Sequence, residues 1–281
     1  MGELQNLIAD ELAQPVDPRV REAAEAIAAA YPGACAVLFY GSCLRTGQID
    51  GQMLDFYLIV RDYRKAYGQR WLAGANRLIP PNVFPFERGG VAAKYAVLSE
   101  ADFAKLTGPN ASTVSVWARF AQPARLVWAA DATARNQAIA AVARACETLL
   151  SLAPPAADAL EHWRRGFELT FSAELRAERS DRPGSIVDWD PERYRRVGAL
   201  IRPLPLYSEA RWQTLRRAGK VMTLVRLAKA SLTFAGGVDY LAWKINRHSG
   251  AGIVVKPWQR RWPLLGALIL LPRLLRRGAV R

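Results

Sequence analysis

The sequence predicts an α+β fold: a mixed sheet with helices over residues 1–130, a mostly helical stretch over 131–243, and a basic amphipathic tail over 244–281. Three observations carry this. Short apolar runs bounded by turn residues cluster in the first half. From about Asp131 the texture changes to Ala-rich helical periodicity. After Asp239 acidic residues cease while basic ones recur. The 281 residues suit one large domain or two modest ones, and a hydrophobic fraction of 51% supports a sizeable core, which excludes a disordered chain. Lys and Arg number 39 against 25 for Asp and Glu, a net charge of +14 that points to an anionic partner without choosing among nucleic acid, nucleotide and membrane. Three cysteines without paired spacing and two distant histidines exclude a disulfide framework and a Cys/His zinc cluster.

Taken in order, the first clear element is a helix over about 17–30, with Asp17 as N-cap and Pro18 at the first helical position. Ala34 to Tyr40 is a short apolar run between turn signals and reads as a buried strand ending at Gly41-Ser42. Leu54 to Val60 reads as a second strand, and Lys94 to Ser99 as a third. Ala132 to Ala153 is a periodic helix stopped by Pro154-Pro155. Further helices are expected over 158–176 and 208–234, with a loop over 180–192. Near the N-terminus stand Asp10 and Glu11, with no basic stretch leading into an apolar run, so a reducing cytoplasmic compartment is expected.

The tail has its own character. Lys244, Arg247, Lys256, Arg260, Arg261, Arg273, Arg276, Arg277 and Arg281 surround the apolar run Trp262 to Pro272, with Trp258 and Trp262 at one margin. That run falls well short of the roughly 20 residues needed to cross a bilayer. Aromatic rings favour the headgroup level, and cations near an anionic surface contribute about 1 kcal/mol each. The tail can be a helix packed on the body or a membrane-interfacial segment; the coincidence of charge, tryptophan and apolar run favours the second, with Trp258, Arg260, Arg261, Trp262, Arg273, Arg276 and Arg277 at the lipid.

The sharpest chemical signal is Phe39-Tyr-Gly-Ser-Cys43 followed by Leu54-Asp-Phe-Tyr-Leu58, with twelve residues between Ser42 and Asp55. Gly41 lets the backbone approach a triphosphate, and Ser42 with neighbouring amides can bind phosphate oxygens. Asp55 can hold Mg²⁺, which commonly takes one or two carboxylates together with substrate phosphates. A strand ending in Gly-Ser and an acidic residue on the next strand resembles the nucleotidyltransferases of the polymerase-β-like superfamily. That pattern has a second carboxylate two residues after the first; here Tyr57 stands there, which admits either a variant metal site or a degenerate one. Asp50 and Asp62 are the nearest substitutes in sequence.

Further segments narrow the resemblance. Lys94-Tyr-Ala-Val-Leu-Ser99, Trp117 to Arg125, Thr170 to Arg176 and Val225 to Gly236 are similar to the mitochondrial-type phosphatidate cytidylyltransferases, the translocator assembly and maintenance family. The similarity covers most of 35–245, with Ala96 in place of a glycine and Gln122-Pro123 in place of a basic-Pro pair. It implies a Mg²⁺-dependent, peripheral enzyme at the cytoplasmic membrane face that makes CDP-diacylglycerol and pyrophosphate from CTP and phosphatidic acid. It implies that Tyr40, Gly41, Ser42 and Tyr95 bind the nucleotide, that Lys94 neutralises phosphate, and that Asp55 binds metal. That family also carries a lone Asp-Phe, so Tyr57 weighs less against activity. No nucleic acid is expected as a partner. The alternatives are a nucleotidyltransferase with another acceptor (protein, RNA or a small molecule) and a non-catalytic membrane- or nucleic-acid-binding protein on a degenerate scaffold.

The remaining charged residues have plainer readings. Without the resemblance Lys94 reads as a snorkelling surface lysine. Arg164-Arg165 and Arg216-Arg217-Lys220 read as solvated helix faces, and Arg176 and Arg179 beside Glu174 and Glu178 as a salt-bridged helix end. His162 and His248 have no partner in sequence.

Overall fold

The computed structural model describes residues 2–174, 182–233 and 256. In chain order the elements are α1 (Glu3–Leu12), α2 (Pro18–Ala29), β1 (Ala34–Tyr40), α3 (Ser42–Thr46), β2 (Met53–Val60), α4 (Tyr63–Ala66), α5 (Arg70–Leu78), β3 (Asn82–Arg88), β4 (Val91–Ser99), α6 (Glu100–Leu106), α7 (Trp117–Phe120) and β5 (Ala124–Ala129). The helices α8 (Ala132–Leu152), α9 (Ala159–Ala173), α10 (Arg182–Trp189), α11 (Pro191–Ala199) and α12 (Glu209–Thr233) follow.

The five strands form one mixed sheet in the order β3-β4-β2-β1-β5. Only β2 and β4 run parallel; the other neighbours are antiparallel. The central strands β1 and β2 are apolar on both faces because helices cover both. On one face Val37, Phe39, Leu54, Phe56 and Leu58 pack with α2, α4 and α5 in one buried cluster. On the other, Leu38, Tyr57, Ile59, Ala96 and Leu98 join a second cluster that extends through α1 and α8 to Trp163, Tyr194 and Trp212. The helices after residue 130 therefore share a core with the sheet. Alternation along each strand sorts the residues between the two clusters.

Most expected elements form where the sequence places them. Asp17 caps α2 by accepting from the Arg19 amide, and Pro18 occupies its first position. The loop expected over 180–192 is a correction: α10 spans Arg182–Trp189 and α11 starts at Pro191. Asp190 accepts from the Arg193 amide, so Asp190-Pro191 starts a helix and is not a simple break. Ile186 and Val187 are fully buried and anchor α10 to the core. The sheet also gains β3 and β5, which the sequence leaves unassigned. β3 is an edge strand, where Pro85 is tolerated because one side of the ladder needs no donor.

Buried polar contacts from three side chains hold the later helices in place. Arg193 is ion-paired with Glu11 at 2.6 Å and donates to the Ala121 carbonyl at 3.0 Å, tying α11 to α1 and to the end of α7. The indole of Trp212 donates to the Leu152 carbonyl at 2.8 Å, and that of Trp163 to the Tyr194 carbonyl at 3.0 Å. α12 lies so close to α9 that a Cβ at Gly219 would overlap the Ala173 carbonyl oxygen. Backbone cannot yield as a flexible side chain can, so Gly219→Ala is expected to destabilise by about 3 kcal/mol. Thermal denaturation should show a midpoint lower by several degrees; an unchanged midpoint would refute the packing described for this helix pair.

Candidate active site

The register of the sheet sets out the site. Tyr40 of β1 lies opposite Asp55 of β2, and Asp55 lies beside Lys94 of β4. These three residues form one row across three strands and project to the face shared with Tyr57 and Leu38. Asp55 Oδ1 is 3.0 Å from Lys94 Nζ, with the two side chains 18% and 28% exposed. That oxygen is buried and accepts no hydrogen bond, so its contact with Lys94 is electrostatic.

Immediately after Tyr40 the chain turns. Gly41 has φ 95° and ψ −160°, a conformation essentially confined to glycine. A Cβ there would also stand 3.0 Å from Asp55 Oδ2. Glycine is thus required twice, by the backbone and by the carboxylate it faces. Ser42 opens the single turn of α3 and is exposed, next to the Gly41 backbone. Cys43 is buried behind it, with its thiol on the Met53 carbonyl at 3.5 Å.

Tyr57 stands two residues after Asp55 on the same face of β2. Its ring is buried against Tyr40 and Phe120, with centroids 5.3 Å and 5.1 Å away. Burial raises the Tyr57 phenol above its ordinary value. Burial, reinforced by the Asp55 charge, raises Tyr40 well above its own. Both phenols are therefore neutral near pH 7. Neither substitute carboxylate comes near Asp55. Asp50 is exposed and paired with Arg19 at 2.6 Å. Asp62 lies past the far end of β2, where it caps α4 by accepting from the Arg64 and Lys65 amides.

The structure adds charged side chains that the sequence did not single out. Arg119 of α7 donates to the Ser115 carbonyl, and its Nη2 lies 4.0 Å from Glu174 Oε2. Burial alone would lower the Arg119 guanidinium, but Tyr57, Glu174, Tyr40 and Asp55 around it hold it above its ordinary value. Glu174 is itself buried, contrary to its reading as part of a solvated helix end. From α12, Arg226 donates to the Ser115 hydroxyl, and Lys229 donates to the Ile79 and Pro81 carbonyls. Burial, followed by repulsion from Arg226, pulls Lys229 down to about 7. Arg119, Glu174 and Arg226 belong to segments that are far apart in the chain but meet around Tyr57.

Other expectations fall elsewhere. Tyr95 follows Lys94 and so points to the opposite face, where its hydroxyl is 3.0 Å from that of Tyr31 and its ring packs on Phe84 at 5.7 Å. It does not line the Asp55 side of the sheet, which corrects its expected place in a nucleotide pocket. Arg164, Arg165 and Arg216, which the sequence presents as solvated helix faces, form ion pairs with Asp188, Glu161 and Glu209. His162 is half-buried and lowered by burial. Trp258, Arg260, Arg261, Trp262, Arg273, Arg276 and Arg277, together with Arg176 and Arg179, lie outside the described residues.

Among the described residues, no group of three or more His, Cys, Asp and Glu could hold a metal by itself. The donor set suits an ion that arrives with phosphate: Asp55 offers one carboxylate beside the open backbone of Gly41, and Lys94 already partners Oδ1. No helix among the described residues is long and apolar enough to cross a membrane. No protein-family model and no curated protein matches the chain.

Proposed function

We propose that this chain is a nucleotidyltransferase that transfers the cytidylyl group of CTP to phosphatidic acid, giving CDP-diacylglycerol and pyrophosphate at an anionic membrane surface. The observation that carries this reading is the Gly41–Asp55–Lys94 constellation. A glycine-only turn, a largely shielded carboxylate and a lysine meet within a few ångströms at the end of two central strands.

The chemistry follows from these parts. The backbone at Gly41 and Ser42 admits the triphosphate without steric cost. Lys94 neutralises charge on it. Asp55 would hold Mg²⁺ together with phosphate oxygens, and the ion supplies charge stabilisation at the reacting phosphorus. An oxygen of the phosphatidic acid phosphate forms a bond to the α-phosphorus, and the bond to pyrophosphate breaks. That oxygen is already ionised at neutral pH, so no proton has to be removed from the acceptor. The neutral phenols of Tyr40 and Tyr57 then serve as an apolar wall, not as bases.

The basic, tryptophan-bearing tail supports a peripheral position on the cytoplasmic face of the membrane, since two weak membrane signals are commonly needed for stable reversible attachment. The test is pyrophosphate release with Mg²⁺ and each of the four nucleoside triphosphates, over vesicles containing phosphatidic acid or phosphatidylglycerol. Release is expected with CTP and phosphatidic acid together. Equal release over phosphatidylglycerol would overturn the acceptor, and preference for another nucleotide would overturn CTP.

A further inference from the structure

Two guanidinium groups converge on one residue that is not part of the row described above. Arg119 donates to the carbonyl of Ser115, and Arg226 Nη1 donates to its hydroxyl at 2.9 Å. Arg226 is also held by the Pro80 carbonyl at 3.0 Å and the Thr113 hydroxyl at 3.5 Å. All of these acceptors are neutral. Glu174 lies 4.0 Å from Arg119 and offsets one of the two charges. The arrangement therefore concentrates like charge in a partly shielded place, where repulsion is stronger than in water. Burial foremost lowers Arg226 from its ordinary value, with Arg119 adding to it and Tyr57 and Glu174 acting the other way. Ser115 tethers both guanidinium groups, and such groups bind phosphate through paired N–H donors.

Position narrows the ligand. Arg119 is near enough to Asp55 to be affected by its charge. α12 packs against β3, on the other side of β2 from Gly41. Both arginines act on Tyr57, the next residue of β2 on the face that carries Asp55. We propose that Arg119 and Arg226, presented together by Ser115, form a phosphate-monoester subsite beside Asp55 that holds the acceptor. This rests on the function proposed above for its lipid form, and the ligand chemistry itself is any phosphate monoester.

The test is isothermal titration of the full chain with dihexanoyl phosphatidic acid, with inorganic phosphate and with Mg²⁺–CTP. The short-chain lipid is used below its micellar concentration, so that docking on a membrane does not contribute. Arg226→Gln is expected to weaken dihexanoyl phosphatidic acid by about tenfold or more and to change CTP by less than about twofold, while Arg226→Lys recovers only part of the loss. A purely structural Arg226 would lower the thermal midpoint and leave the affinity of the folded protein intact, which overturns the subsite. Equal weakening of CTP overturns it as well, and so does failure of the wild type to bind either phosphate. Should Arg226→Gln not fold, Ser115→Ala keeps both charges and removes one tether. It is expected to cost several-fold for the lipid and little for CTP, and an unchanged lipid affinity overturns the subsite. Arg226-dependent binding of inorganic phosphate without binding of the lipid keeps the subsite and removes the lipid acceptor. Normal turnover of phosphatidic acid by Arg226→Gln at unchanged KM does the reverse.

Discussion

Asp55→Asn is expected to lose nucleotidyl transfer by about a thousandfold or more while keeping its fold, because removal of a charge that acts on the transition state typically costs several kcal/mol. The substitution is nearly isosteric, so the packing of Tyr40 and Tyr57 beside it is preserved. What disappears is the single carboxylate that faces both the Gly41 backbone and Lys94. Asp50 and Asp62 are engaged elsewhere by Arg19 and by the first turn of α4, so neither can take its place. The Lys94 side chain remains in place, and the affinity for the triphosphate should fall far less than turnover. Steady-state pyrophosphate release and circular dichroism on the same preparation check both halves. Near-normal turnover from folded Asp55→Asn would remove Asp55 from the chemistry.

The second large effect is expected at Gly41→Ala. The φ of 95° with an extended ψ costs a non-glycine residue about 1–3 kcal/mol. The added methyl also stands 3.0 Å from Asp55 Oδ2, closer than carbon and oxygen ordinarily approach. Either the turn unwinds or the carboxylate shifts by several tenths of an ångström. Displacement of a positioned catalytic group by about 1 Å can cost about a hundredfold, and a loss approaching that size is expected in kcat. The effect on stability should be smaller, because the turn lies at the end of β1 and not within its ladder. Parallel measurement of kcat and the denaturation midpoint separates the two. An unimpaired kcat would mean that the Gly41 backbone and Asp55 do not act together.

The sequence made β1, β2, α2 and α8 legible because each carries a strong local signal: apolar runs between turns, an Asp-Pro cap, a long Ala-rich period. α1 has no side-chain cap, and its Gly2 start gives no local cue. β3 carries Pro85 and Glu87 in place of clean alternation, which an edge strand permits and a pattern search rejects. α10 was hidden by Asp190-Pro191, a pair that here begins the following helix.

The site divides in the same way. Gly41, Asp55 and Lys94 were legible because short spacing and strand ends bring them together. Tyr95 was misplaced, although the alternation of a strand already forbids successive residues from facing the same way. Arg119, Glu174 and Arg226 were not legible as a group, since only packing of α7, α9 and α12 over the sheet unites them. Glu174 in particular reads as a solvated acid until the fold buries it beside Arg119. The signal available was the concentration of arginine in otherwise apolar helical segments, and it pointed equally to ordinary exposed faces such as Arg164 and Arg165.

The most direct test of the account is the identity of the lipid product. Wild type and Asp55→Asn are incubated with Mg²⁺, CTP and vesicles containing phosphatidic acid, and the extracted lipids are resolved by mass. The account predicts CDP-diacylglycerol from the wild type, one pyrophosphate released per lipid formed, and neither product above background from the variant. A folded wild-type protein that docks on those vesicles yet forms no CDP-diacylglycerol would contradict it.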